Sequence, residues 1–205
     1  MKSTRTHALI TQAQLYVRKR RITLLTELLR RHPQLTDQKN RRGLTLIDLA
    51  VDQNECEIIE LLITMGCTLL NKPNAHDQTL VYRAIHVSNN SIKRDHTLDR
   101  SRLIEHLVRL GFTNMDYTND FVSAFDASII DKDRNAIHVL RCLGVQSTPG
   151  YRDNQRACLK LPLLSEDEIA SVRYRVYFQE SLVSRMIRQH TIIILTHHRR
   201  KIKRI

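Results

Sequence analysis

Residues able to do chemistry are present in this chain, but their spacing does not suit it. Four cysteines, Cys56, Cys67, Cys142 and Cys158, lie far apart among 205 residues, with no C-x-x-C pair to hold zinc. They read as small core residues in a reducing compartment, and no catalytic thiol can be argued from them. His190 and His197 are seven residues apart and would share a helical face. Their neighbours are cationic, and no Cys or carboxylate completes a tetrahedral set, so no metal is expected there. The chain has no Gly-rich phosphate loop, no H-E-x-x-H and no G-x-S-x-G. The expectation is a non-enzyme without cofactor or metal.

Function then falls to surfaces, and charge is the first guide to them. The net charge of +12 is unevenly placed: +9 over residues 1–42, −4 over 43–149 and +7 over 150–205. Two basic ends around an acidic centre suit an anionic partner, or serve solubility alone. "RKRR" at 18–21 reads as a solvated edge first, and as a phosphate-binding or localisation patch second. Five of the last seven residues, "RRKIKRI", are basic and would suit an import signal or a nucleic-acid contact, although little aromatic stacking material accompanies them. The longest strongly apolar run, "TIIIL" at 191–195, is far too short to cross a bilayer. With no secretory signal at the N-terminus either, the expected location is intracellular, cytoplasmic or nuclear. Action of a pathogen protein inside a host cell is compatible with this reading.

The elements that must position such surfaces are helices. Glycine and proline number only 5 and 4, tryptophan is absent, and an apolar share of 41% is enough for a core. The fold class expected is all-α. Within "RRGLTLIDLAVDQNECEIIELLITMG", 41–66, a Thr opens one short helix and a Gly closes a second. The opener recurs as Thr11, Thr45, Thr79 and Ser123, and the closer as His32, Gly66, Gly111 and Gly144. Each closer has a Leu four residues before it (Leu28, Leu62, Leu107, Leu140) and an aliphatic seven before it (Leu25, Ile59, Ile104, Ile137). Opener to closer is 21 residues in copies one, two and four and 32 in the third, so an 11-residue insertion falls near the polar segment 88–100. The hydroxyl caps a helix, the aliphatics line one face of the next helix, and glycine supplies the left-handed residue that ends it.

The period near 33, the helix pairs and "G-x-T-x-x-x-L-A" at Gly43–Ala50 resemble the ankyrin repeat, over about residues 6–147. Leu46 and Leu80 stand where that family has Pro, Asp48 and Tyr82 where it has His, and Tyr16 where it has Ala. Arg83 replaces an expected core aliphatic. The resemblance implies an ankyrin-type solenoid over 1–149 that binds another protein through a concave face of first helices and turns. Carried onto this chain, the contact candidates are the turn residues Asn40, Arg41, Arg42, Lys72, Asn74, His76, Asp77, Tyr117, Asn119 and Asp120, with Asp48, Tyr82 and Arg83 on the inner helices.

Pro149-Gly150 ends the periodic region, and 150–205 forms a basic C-terminal region. "SEDE" at 165–168 has capping-box spacing, and Ile169, Val172, Val176, Val183 and Ile187 then recur at helical spacing. A long amphipathic helix is expected, lying over the exposed end of the stack or serving as a second contact. Two functions are therefore open: a protein-binding adaptor, or a targeting stack whose basic C-terminal region binds anionic membrane or nucleic acid or carries an unrecognised effector activity.

Overall fold

The computed structural model describes residues 2–90, 100–119, 122–148 and 160–177. The helices, in order, are α1 (Lys2–Arg18), α2 (Ile22–Arg31), α3 (Leu46–Asp52), α4 (Cys56–Thr64), α5 (Leu80–Asn90), α6 (Ser101–Arg109), α7 (Ala124–Ile130), α8 (Arg134–Cys142) and α9 (Glu166–Tyr177). A single 3₁₀ turn follows α2 at Pro33–Asp37. Two two-residue strands, β1 (Thr118–Asn119) and β2 (Val122–Ser123), pair antiparallel just before α7. Among the described residues the remaining elements are all helices, as the composition implies.

The starts of α3, α5 and α7 follow from hydroxyl caps. Thr45 Oγ1 accepts from the Asp48 backbone N–H while Asp48 Oδ2 accepts from the Thr45 N–H, a reciprocal box repeated by Ser123 and Asp126. Thr79 Oγ1 accepts from the Tyr82 N–H at 3.2 Å. Thr11 departs from the pattern. It lies mid-way along α1, which begins nine residues earlier at Lys2, and its hydroxyl donates to the His7 carbonyl one turn back. A helix that continues through the cap position leaves no orphan N–H for that hydroxyl to receive.

Pairs one, two and four turn through a left-handed residue, Arg20, Asn54 and Lys132, and Gly66, Gly111 and Gly144 close pairs two to four at φ of 94°, 100° and 87°. His32 closes the first pair at φ −139° instead. Pro33 follows it, and a residue before proline is driven to extended backbone, so glycine is not needed there.

The first helices stack side by side, α1 on α3, α3 on α5 and α5 on α7, each backed by its own second helix, and α6 packs on α8. One apolar cluster runs through all four pairs. Leu62, Leu107 and Leu140 are fully buried in it, as are Ile59 and Ile104. Leu28 is only half-buried, and α2 contributes Leu25 and Leu29 to the core in its stead. As an end unit the first pair has one neighbour, and Leu15 and Leu24 stay exposed at 51% and 45%.

Two further expectations are corrected. Ser88–Asn90 do not begin a loop but lengthen α5, which has 11 residues where α3 and α7 have seven each; the rest of the insertion, 91–99, lies outside the described residues. Over its described residues, Glu166–Tyr177, the C-terminal helix does not lie across the end of the stack. α9 lies across the second helices α6 and α8, burying Val172 and Val176. Its capping box forms as the spacing predicts, Ser165 N–H donating to Glu168 Oε2 at 2.8 Å and Glu168 N–H to Ser165 Oγ at 3.2 Å. The side-on position follows from polar partners on the outer layer: Arg175 grips Glu105 with two hydrogen bonds of 2.9 and 2.6 Å, and Arg173 Nε donates to the Cys142 carbonyl at 3.1 Å. Val183 and Ile187 lie outside the described residues.

Candidate functional site

Between the pairs the chain projects in loops, 38–45, 67–79 and 111–123, and the sequence expectation places recognition on them. In the first, Asn40 Oδ1 accepts from the Arg42 and Leu44 backbone N–H groups; in the second, Asn74 Oδ1 accepts from those of His76 and Gln78. These side chains build the turns, because an Asx carbonyl mimics the backbone acceptor that a tight loop lacks. Asn40 and Asn74 are therefore consumed internally, and the residues exposed in the two turns are Arg41, Arg42, Ala75, His76 and Asp77.

The loops are also bonded to one another. His76 Nε2 lies 2.9 Å from the Arg42 carbonyl. Gly43 has φ +72° and approaches Ala75 so closely that a Cβ at 43 would sit 2.4 Å from the Ala75 methyl. Asn71 Oδ1 accepts from the Thr113 N–H at 2.8 Å, and its amide donates to the Gly111 carbonyl at 3.0 Å. The Tyr117 hydroxyl donates to Asp77 Oδ1, which raises the phenol above its ordinary range because the bond holds the proton. At the base of the row, Asp37 accepts from the Thr68 N–H and hydroxyl at 3.0 and 2.6 Å. Three loops thus form one zipped edge.

The inner helices contribute less than expected. Every residue of α3 from Leu46 to Val51 and of α7 from Ala124 to Ser128 is buried. Asp48, a contact candidate, is 2% exposed and serves the fold: besides the Thr45 cap, its Oδ1 accepts from Asn74 Nδ2 at 3.2 Å, tying pair two to the next loop. Arg83, also a candidate, is 8% exposed. Its guanidinium pairs with Asp52 at 2.6 Å and donates to Gln78 Oε1 at 3.1 Å, so an arginine at an aliphatic position is accommodated by a carboxylate from the neighbouring helix. Tyr82 is half-buried and packs tilted against His86 with ring centroids 5.5 Å apart. Arg41, Arg42, Lys72, His76 and Asp77 are exposed on the edge, and Tyr117 is half-buried there. Asn119 contributes its backbone to the ladder with Val122, and Asp120 lies outside the described residues.

One residue that sequence reasoning overlooked belongs with these. Lys39 is exposed and shares with Lys72 the lining of a hollow of about 110 Å³, whose other walls include Leu69, Pro73 and Asp48. Lys39 and Lys72 are 33 residues apart, about one repeat, and that spacing was the available signal.

A second polar cluster was also missed, on the outer layer between α4 and α6. His106 Nε2 donates to the Cys56 carbonyl at 3.1 Å and lies 3.5 Å from Glu60 Oε1, while Arg109 Nη2 meets His106 Nδ1 at 2.5 Å. Burial, with the Arg109 charge beside it, lowers His106 to about 4, so the ring is neutral with its proton on Nε2. Burial likewise raises the thiols of Cys56 and Cys142, and that of Cys67 to about 12, so these three are protonated core thiols. Cys158, His190 and His197 lie outside the described residues. Among the described residues no group of three or more His, Cys, Asp or Glu side chains is placed to hold a metal, and no helix is long and apolar enough to cross a membrane.

Compared with family models, with curated proteins and with solved structures, the chain finds no match.

Proposed function

We propose that the four helical pairs form a divergent ankyrin-type array, acting inside the cell as a non-enzymatic adaptor that binds another protein along the zipped loop edge. The observation that carries this reading is the bonding between successive loops, from Asp37 through His76 and Asn71 to Tyr117. Loops held this way lose little entropy on binding, which favours a rigid recognition surface over a flexible one. The departures from the ankyrin pattern support the reading in a specific way. Where that family has His at the fourth position of its first-helix motif, this chain has Asp48 and, in pair four, Asp126, and each carboxylate takes a hydrogen bond from the loop that follows.

A photo-reactive side chain in place of Arg42 or His76 on the edge, and of Glu57 or Thr64 on the outer helix α4, tests the proposal in cells. Crosslinks to a partner protein from the edge positions, and not from α4, are expected. Crosslinks confined to α4 would move recognition to the opposite side.

The alternative function, attachment to anionic membrane or nucleic acid, has less to draw on. Within α9, Arg173 and Arg175 are already engaged with Cys142 and Glu105, so that activity would have to draw on other basic residues of the region.

A further inference from the structure

The zipped edge carries an unbalanced charge. Lys39, Arg41, Arg42 and Lys72 are all exposed, and among the described residues none of them forms an ion pair. The carboxylates nearest them in the chain keep their charge but are turned to other groups, Asp37 to Thr68, Asp48 to Thr45 and Asn74, and Asp77 to Tyr117, so none of them is paired with these cations. Two loops that are bonded together present these four cations on one edge, so an opposing anionic segment can meet them together. From this we infer, on the basis of the adaptor reading above, that the edge recognises an acidic segment of the partner protein.

The chemistry of the hollow refines that partner. Of its lining residues Lys39 and Lys72 are exposed and so take the rim, Leu69 and Pro73 are apolar, and Asp48 is buried and so takes the base. A carboxylate is repelled from that base and a small aliphatic side chain is not. The segment therefore sets Asp or Glu side chains against the rim cations and places one aliphatic residue between them. A nucleic acid fits less well. Tyr117, an aromatic ring on the edge, is tied by its hydroxyl to Asp77 in place of standing free to stack on bases, and the apolar wall of the hollow offers a nucleic acid nothing to bind.

Fluorescence anisotropy on the full chain tests this, with a labelled peptide of alternating Glu and Leu as probe, a Lys-and-Leu peptide as its counterpart and a DNA duplex as competitor. Binding of the Glu peptide that fades as salt rises is expected, with Lys39→Gln/Lys72→Gln and Arg41→Gln/Arg42→Gln each weakening it about fivefold to tenfold. Thermal melting of both variants should match the parent, since these side chains are exposed. Replacing the Arg and Lys of 199–204 by Gln should leave the loop variants' effect in place. Equal binding by the parent and both loop variants, equal binding of the Lys peptide, or displacement of the Glu peptide by duplex at lower concentration would each overturn the inference. If the edge crosslinks a partner but ignores the Glu peptide, the acidic partner is wrong and the adaptor reading stands; crosslinks confined to α4 remove both.

Discussion

Pairs two and three, α3/α4 and α5/α6, are copies of one pattern, yet they meet each other with opposite chemistry. Pair two offers acceptors: the Asp52 carboxylate, the Val51, Asp52 and Cys56 carbonyls, and Glu60. Pair three offers donors that reach back to them, Arg83 and Arg100 at the C-terminal end of α3 and His106 beside α4. Cations at a helix C-terminus meet exposed carbonyls and the negative end of the dipole, so the placement is favourable twice over. A repeat array needs only that each interface be satisfied, and its units need not satisfy it alike. Here the division of roles orders the two units, because pair three cannot stand in pair two's place without burying unpaired guanidinium groups.

Breaking the largest of these links should be costly. Arg83→Ala leaves the half-buried Asp52 carboxylate without its cation, and burial already raises that carboxyl despite Arg83. Loss of about 3 kcal/mol of stability in urea denaturation is expected. The double change Arg83→Met/Asp52→Asn should restore most of it, since removing both partners leaves no orphan charge. No recovery in the double variant would mean that Arg83 matters through packing along its stem and not through the pair.

On the outer side the same interface depends on a neutral imidazole, and that makes it sensitive to acid. The folded His106 titrates near 4 and an unfolded one near 6.5. Below about pH 6.5 the unfolded chain therefore takes up a proton that the folded chain refuses, and stability falls as pH drops toward 4. The full effect is about 3 kcal/mol, with roughly half of it lost by pH 5. Asp52 and Glu55, whose carboxyls burial raises, work in the opposite direction over part of that range. The clean measurement is the difference between the parent and His106→Gln in urea midpoints from pH 7 to 4.5. Gln retains a donor toward Cys56, and its slope should be the flatter of the two.

Pair four resembles pair two more than its neighbour does, and the carboxylate at the third helical position is the reason. Asp126 lies under burial that would raise it, but hydrogen bonds from Ser147, Thr148 and Ser123 outweigh burial and hold the carboxyl below its ordinary range. Asp48→Ala and Asp126→Ala should each cost about 2 kcal/mol, from a lost cap and a lost tie to the following loop. Asp126→Ala should be the more severe, since both Ser147 and Thr148 depend on it. In that carboxylate, stability is lost as pH falls below about 4, just under the lower end of the His106 window.

How much of this was legible depended on whether a residue's role was local. Caps at Thr45, Thr79 and Ser123, glycines at 66, 111 and 144, and the box at Ser165 act within four residues of themselves, so their spacing announced them. Arg83, Asp48 and His106 act across a repeat, 26 to 50 residues away, and a single copy of the motif does not say which neighbour will answer. Thr11 misled because the hydroxyl pattern is the same mid-helix as at a cap, and only the preceding turn of α1 distinguishes them. The position of α9 was hidden for a related reason: its apolar stripe was visible, but the pairing of Arg175 with Glu105, 70 residues earlier, decided which surface it covers.

The smallest effects separate the loops that zip from those that merely turn. Gly66 has φ +94° with open space around its missing side chain, so Gly66→Ala should cost about 1 kcal/mol, the steric penalty of a left-handed alanine alone. Gly43 has φ +72° and Ala75 against it, so Gly43→Ala adds a clash that must push the two loop tips apart, for about 2 kcal/mol in total. That displacement should also break the His76 contact to the Arg42 carbonyl, and a changed His76 ring signal in NMR would record it. If the two alanine variants prove equally stable and the His76 signal is unmoved, loops one and two are neighbours without being joined, and the rigid edge on which recognition was placed loses its foundation.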